Sequence, residues 1–245
     1  MAQFSICIAG HTAAVTSLFD STRDYCARYL SDAPADFSVT VTREDLAFEQ
    51  DFLDKEADEE GLRRRTFTDP FLERAAIQRQ VAEQLLRRGV LLLHGSAVAV
   101  DGKGYLFTAK TGTGKSTHTR LWRQVFGDRA VMINDDKPFV RVTPAGISLC
   151  GAPWSGKHGL DTNLTVPLRG ICILERGKEN AIAPADPAFA LPFLTHQCQY
   201  PRDDADIPRF HVLLQALADA APLWRMQCTI SPEAAELAHR TMSYD

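Results

Sequence analysis

Hydrophobic positions in the first part of the chain fall into short, separate groups. The runs at residues 3–9 and 36–42 predict strands. Between them, Val15, Leu18, Phe19, Tyr25, Cys26 and Leu30 predict a helix over residues 15–30. Residues 44–65 are dense in acids and close on Arg63-Arg64-Arg65, which predicts a solvated surface or a mobile stretch, not a binding element. Leu72, Ile77, Val81, Leu85 and Leu86 predict a helix over residues 71–88, stopped at Gly89.

Beyond Gly89 the pattern changes to short continuous apolar runs. Residues 90–93 and 105–108 read as strands joined by a turn at Asp101-Gly102-Lys103-Gly104. A glycine-rich segment follows at once, then a helix over residues 115–126, then a strand at 130–133 that ends on Asn134-Asp135-Asp136. Strand, glycine loop, helix, strand and acidic terminus is the order of a P-loop nucleotide-binding core. Further strands are expected at 139–142, 147–149 and 170–175. The tail from Ala188 is expected to be mainly helical, interrupted by Pro192, Pro201, Pro208 and Pro222. The fold class predicted is therefore α/β: a small N-terminal α+β lobe, residues 1–85, and a P-loop catalytic domain, residues 86–245, with a helical C-terminal tail.

Composition narrows the function classes. The 245 residues carry a formal net charge of -4, so the basic footprint of a nucleic-acid-binding protein is missing. No stretch approaches the roughly 18 apolar residues of a membrane span, and the N-terminus has no basic region of a secretory signal. Six cysteines (Cys7, Cys26, Cys150, Cys172, Cys198 and Cys228) lie far apart with no Cys-x-x-Cys pair. That spacing fits isolated thiols in a reducing cytoplasm better than a disulfide framework or a zinc site.

The candidate chemistry centres on Ala109-Lys110-Thr111-Gly112-Thr113-Gly114-Lys115-Ser116-Thr117. Ala109 stands where the Walker A pattern has glycine; the rest of the spacing is intact. Gly112 and Gly114 let backbone N–H groups turn toward phosphate oxygens, Lys115 offers charge to the β- and γ-phosphates, and Ser116 offers a hydroxyl to Mg²⁺. Thr117 opens the following helix, whose first N–H groups favour an anion. A nucleoside triphosphate with Mg²⁺ is the expected ligand.

Asp135 and Asp136 would then lie beside the loop, one near the metal and one able to take a proton from an attacking hydroxyl. Neighbours on an extended chain point to opposite sides, so a bend is needed to bring both in; otherwise they form an ordinary surface turn. His94 reads either as a hydrogen-bonding partner of an acid or as a structural histidine. Gly151-Ala152-Pro153-Trp154-Ser155-Gly156-Lys157-His158 could place Lys157 over phosphates and Trp154 on a base or substrate, or could be a tight turn over a sheet edge. Arg176 ends a strand from which it could reach the site. His118 reads as packing or surface. Arg202, Asp203, Asp204, Arg209 and His211 are candidates for a cap.

His94-Gly95-Ser96, the strand 104–108, Gly112-Thr113-Gly114-Lys115-Ser116 and Asn134-Asp135-Asp136 together resemble the catalytic core of the HPr serine kinase/phosphorylase family, itself related to the phosphoenolpyruvate carboxykinases. The resemblance covers roughly residues 88–180. The first 85 residues do not look like the regulatory domain of the full-length protein kinases, so the chain looks closer to small divergent members. The resemblance implies an ATP-dependent kinase acting on a hydroxyl of a small molecule, peptide or protein, in an assembly that allows a homo-oligomer. It implies that His94 supports the acids, Asp135 accepts the proton, and Asp136 lies close to the metal. The competing expectations are a P-loop ATPase or switch that transfers to water, and a nucleotide-binding scaffold.

Overall fold

The computed structural model describes residues 1–59 and 61–243; Glu60, Tyr244 and Asp245 lie outside them. The chain is mixed α/β and forms two compact units, Met1–Gln84 and Leu85–Asp245.

In the first unit, β1 (Ala2–Ile8) and β2 (His11–Ser17) form a hairpin, and β3 (Phe37–Thr40) pairs parallel to β2. The hairpin turns on Ala9-Gly10 at φ 54° and 81°, the paired left-handed residues of a two-residue turn matched to strand twist. The helix expected over residues 15–30 is thus corrected. Ala13, Val15 and Ser17 are buried every second residue on β2, a strand period. Only α1 (Ser21–Tyr25) and a 3₁₀ turn (Ala27–Tyr29) remain helical.

Of the acid-rich stretch, residues 43–59 form a helix, α2 (Arg43–Glu59), most of whose acids are exposed, in keeping with a solvated surface. Asp45 and Glu49 are less exposed and turned toward a partner. Arg79 on α3 (Asp69–Leu86) donates to Glu49 at 2.6 Å and to Asp45 at 3.1 Å. Glu73, fully buried, accepts from Leu18 N–H, Phe19 N–H and the Thr22 hydroxyl. A buried carboxylate so supplied with donors avoids most of its desolvation cost.

The second unit is a curled sheet covered by helices. Its elements are β4 (Val90–Leu92), β5 (Gly95–Val100), β6 (Lys103–Thr108), α4 (Lys115–Phe126), β7 (Ala130–Asp136), β8 (Phe139–Thr143), β9 (Gly146–Cys150), β10 (Thr165–Arg176), β11 (Ala181–Pro184), α5 (Pro187–Gln197), α6 (Ile207–Ala220), β12 (Leu223–Cys228) and α7 (Pro232–Ser243). The strand order is β4-β8-β9-β10-β6-β5-β7, with β12 also beside β10 and β11 beside β12. The long β10 makes the curl: Thr165–Pro167 pair with β9, and after an irregularity at Leu168/Gly170 the strand pairs with β6 and β12.

Strands at the centre are buried on both faces, which is why they read as unbroken apolar runs. On β5, Ala97 and Ala99 face one core with Leu194, Phe210, Leu214 and Leu217 of α5 and α6. Val98 and Val100 face the other, with Leu121 and Trp122 of α4 and Ala234, Ala235 and Ala238 of α7. Two expectations change here. Residues 95–100 are a separate strand, and the tail beyond Ala188, mainly helical as expected in α5, α6 and α7, also carries β12, which joins the sheet beside β10. Among the described residues, no helix is long and apolar enough to cross a membrane.

His118 on α4 belongs to this packing. Its Nε2 accepts the Trp122 indole N–H at 3.0 Å, and its ring meets Phe107 edge-on at 4.6 Å. Burial lowers its pKa from 6.5 to about 4. Between those values the unfolded chain binds a proton that the folded chain refuses, so stability falls as pH drops from 6.5 toward 4. The loss at the acid end is on the order of 3 kcal/mol. Denaturant unfolding at pH 7 and pH 4.5 should show it. His118→Gln, which keeps an acceptor for Trp122, should remove about 2 kcal/mol of the difference; an unchanged pH dependence would contradict this account.

Candidate functional site

Strand direction gathers the candidate residues. β6 and β10 are parallel, and β5 lies antiparallel between β6 and β7. The C-terminal ends of β6, β7 and β10 and the start of β5 therefore share one edge of the sheet. The glycine loop leaves β6 there, Asp135 and Asp136 end β7, Arg176 ends β10, and His94 immediately precedes β5. Ligands of open α/β sheets bind at such a carboxyl edge.

The loop meets the stereochemical demands of its sequence. Gly112 and Gly114 have φ of 75° and 122°, which side chains rarely tolerate. Ala109 is fully buried and has no positive φ, so a methyl group replaces the usual glycine hydrogen without strain. The Lys115 ammonium donates to the Ala109 carbonyl at 3.2 Å. Burial lowers its pKa first; Asp136 and Asp135 oppose that, while Lys137 reinforces it. Ser116 is exposed on the first turn of α4 and Thr117 is half-buried, while Lys110 and Thr111 are exposed on the loop.

The register slip between β5 and β7 falls at Ile133, ahead of both acids; Asp135 and Asp136 then pair in regular succession with Ser96 and Gly95, and the backbone leaves the extended form at Asp136, φ 154°. Asn134, fully buried, turns away: its amide donates to the carbonyls of Ala152 and Trp154, and its oxygen accepts from Lys137 N–H. Asp135 lies directly across from Ser96 on β5, is 6% exposed, and accepts the Ser96 hydroxyl at 2.7 Å. Thr119 on α4 lies 2.7 Å from the same hydroxyl. Since Ser96 gives its single proton to Asp135, the Thr119 hydroxyl donates to Ser96 in turn.

Asp136 is half-buried, and burial raises its carboxyl pKa, against the pull of Lys137 and Lys115 and with help from Asp135. His94 Nε2 lies 3.5 Å from Asp136 Oδ1. Burial, then Lys137 and Lys115, push the imidazole pKa down to about 3. The contact is therefore between a neutral ring and an acid, not an ion pair.

Gly156 closes the site from the other side. At φ 53°, it packs so tightly that an added Cβ would lie 2.8 Å from the Asp135 carbonyl oxygen and 3.3 Å from the Asp136 Cβ. Lys157 is the next residue, exposed on a 3₁₀ turn (Gly156–His158). Arg176 reaches the loop itself, donating to the Gly112 carbonyl at 2.6 Å. Trp154 does not offer a stacking face: it is 5% exposed and meets Phe139 edge-on. Three of the cap candidates have partners of their own. Asp203 pairs with Arg87 at 3.2 Å, Arg209 donates to the Arg87 carbonyl at 3.0 Å, and His211 packs against Phe210 and Tyr200, so these side chains brace α6.

Sequence reasoning assigned no role to Ser96, Thr119, Asn134 or Lys137. Ser96 had a signal, as the one hydroxyl in an otherwise apolar strand. Asn134 had none, because its role depends on where the loop at 152–154 returns.

The fold and site define a mixed α/β protein with a glycine loop, two acids and a histidine on one sheet edge. The chain belongs to the SynChlorMet cassette protein ScmC family, whose model matches residues 71–201. No curated protein matches it. Among solved structures, the Hpr(Ser) kinase/phosphatase from Coxiella burnetii is similar to it, with 13% identity and a TM-score of 0.30, over 51% of this chain and 93% of that one.

Two measurements probe the site. Ser96→Ala should cost about 1–3 kcal/mol in urea unfolding, because it strips a buried carboxylate oxygen of its donor; a neutral result would mean Asp135 finds another. The ¹⁵N resonances of His94 should show no titration above pH 5, as expected for a ring whose pKa is near 3.

Proposed function

We propose that this chain is an ATP-dependent kinase that transfers the γ-phosphoryl group to a hydroxyl of a small molecule, peptide or protein, using a P-loop core of the HPr kinase type. The observation that supports the reading most is that Asp135 and Asp136 end β7 at the same sheet edge from which the glycine loop leaves β6. The donor set fits a magnesium nucleotide. The positive-φ glycines free the loop amides, and Lys115 and Arg176 bring positive charge to the loop. Among the described residues, no group of three or more His, Cys, Asp or Glu could hold a metal by itself. A cation here would take Ser116, one carboxylate and phosphate oxygens, the mixed set Mg²⁺ accepts. Bound ATP and Mg²⁺ would supply the phosphoryl group and offset its charge.

In the transfer, the acceptor oxygen bonds to the γ-phosphorus, its proton passes to a carboxylate, and the bond to the bridging oxygen breaks to release ADP. Exposure favours dividing the acids opposite to what the family resemblance implied. Asp136 faces the open site, its pKa is raised, and neutral His94 beside it adds no competing charge, which suits the proton acceptor. Asp135, buried and fixed by Ser96, suits the cation. Lys157, exposed next to Gly156, would be the further cation that meets the acceptor or the γ-phosphate. The free cysteines, four of them buried, favour a reducing compartment such as the cytoplasm.

Calorimetry should show Mg²⁺-dependent ATP binding that Lys115→Ala abolishes. With ATP labelled at the γ-position, label should appear on a component of a cell extract. Asp136→Asn should cut that transfer about 10²–10⁴-fold while leaving ATP binding intact, and Asp135→Asn should weaken the Mg²⁺ dependence. Phosphate release to water with no labelled acceptor would favour an ATPase instead, and no ATP binding at all would end the reading.

A further inference from the structure

On the side of the glycine loop away from the acids lies a cavity of about 630 Å³, lined by loop residues 110–113, by Ile173, Leu174, Glu175 and Arg176 at the end of β10, and by Phe189 and Phe193. Its size is that of small-molecule sites. We propose that it holds the nucleobase of the bound nucleoside triphosphate, stacked on the Phe189–Phe193 pair. This rests on the reading of the glycine loop as a triphosphate site.

The position of α5 presents the two phenylalanines. Ala190 and Leu194, one helical turn apart, are fully buried, and Phe189 and Phe193, also one turn apart, fall on the adjoining half-exposed side. Their ring centroids lie 5.9 Å apart with planes inclined by 30°. The helix is fixed at both ends. Asp186 caps its start through Ala188 N–H at 2.9 Å, and at its end His94 N–H donates to the Gln197 carbonyl at 2.7 Å. The Arg225 guanidinium lies 4.7 Å from the Phe189 ring centre and is held by Glu175 at 2.9–3.0 Å. One face of that ring is thereby backed by a charged plane, which stiffens it as a platform.

The topology selects the base over the acceptor as occupant. In an in-line transfer the acceptor and the leaving nucleoside diphosphate lie on opposite sides of the γ-phosphorus. The proton acceptor is on β7, beyond β5 on one side of β6; the cavity is on β10, on the other side. The acceptor must meet the acids, so the nucleoside end is left to the cavity. Arg176, bonded to Gly112 and lining the cavity, marks where the phosphate chain would pass into it. The ring faces give a base–aromatic stack, and the loop carbonyls and Glu175 can accept from exocyclic amino groups.

The test compares tripolyphosphate, ATP, GTP and CTP, each with Mg²⁺, by calorimetry on the full chain. Wild type should bind at least one nucleotide about tenfold or more tighter than tripolyphosphate. Phe189→Leu/Phe193→Leu, which keeps apolar volume and removes the stack, should weaken that nucleotide about ten- to a hundredfold while leaving tripolyphosphate affinity unchanged; retained tripolyphosphate binding also reports that the variant is folded. Should the double variant lose tripolyphosphate binding as well, Phe193→Leu alone is compared with wild type in the same way. If wild type binds tripolyphosphate through Lys115 but gains nothing from a base, the base pocket is wrong and the phosphate site stands. The base pocket is equally overturned if the folded variant binds nucleotide as wild type does. If wild type binds neither tripolyphosphate nor nucleotide, the kinase reading fails and this inference with it.

Discussion

The hydrogen bond between Ser96 and Asp135 is the point on which the site's geometry hangs. It exists because β5 lies antiparallel between β6 and β7 and sets residue 96 directly opposite residue 135. A carboxylate 6% exposed loses most of its hydration, a cost that donors and nearby cations must offset. Ser96 supplies the donor, Thr119 fixes the Ser96 proton, and Thr119 belongs to the helix that begins at Lys115. Strand pairing, loop conformation and helix start are thus tied to one carboxylate. Displacing any of them would leave a buried acid short of partners, so the arrangement is enforced by desolvation and not only by packing.

The same low-dielectric surroundings set the protonation pattern. Lys115, His94 and Asp136 are each pushed by burial toward the neutral form, and the charges nearby compensate only in part. Lys137 presses on His94 and Lys115 while stabilising the Asp136 carboxylate. Lys115 and Lys137 are thus balanced against Asp135 and Asp136 beside a loop whose two glycines sit at positive φ.

Much of this was legible in the sequence where one residue type has one physical use. Positive φ at 112 and 114, the strand before the loop and the helix after it follow from Gly-x-Gly-Lys-Ser bounded by apolar runs. The need for a bend at the acid pair was also legible, and the backbone turns there at Asp136, φ 154°. What failed depended on partners distant in sequence. The end of β2, residues 15–17, read as the start of a helix because Val15 and Leu18 fit that period, while the Ala-Gly turn that makes a hairpin lacks the usual Asn or Asp. The burial of Glu49 within an otherwise solvated helix was hidden because it depends on Arg79, thirty residues away. Strand β12 was hidden by its polar positions Arg225 and Gln227, which it can carry because it lies toward the sheet's margin beside β11.

The phenylalanines of α5 show why sequence alone undervalues some positions. Phe189, Ala190, Phe193 and Leu194 form an ordinary apolar cluster, and Pro192 weakens the helical signal further. Only the fold separates the pair that is wholly buried from the pair that borders the cavity. That separation has a physical cause. α5 must end where Gln197 meets the backbone of His94, so the helix cannot rotate to bury all four side chains. The strand edge that fixes His94 beside Asp136 therefore also fixes which aromatic faces remain open, and the two ends of the site are adjusted by a single backbone junction.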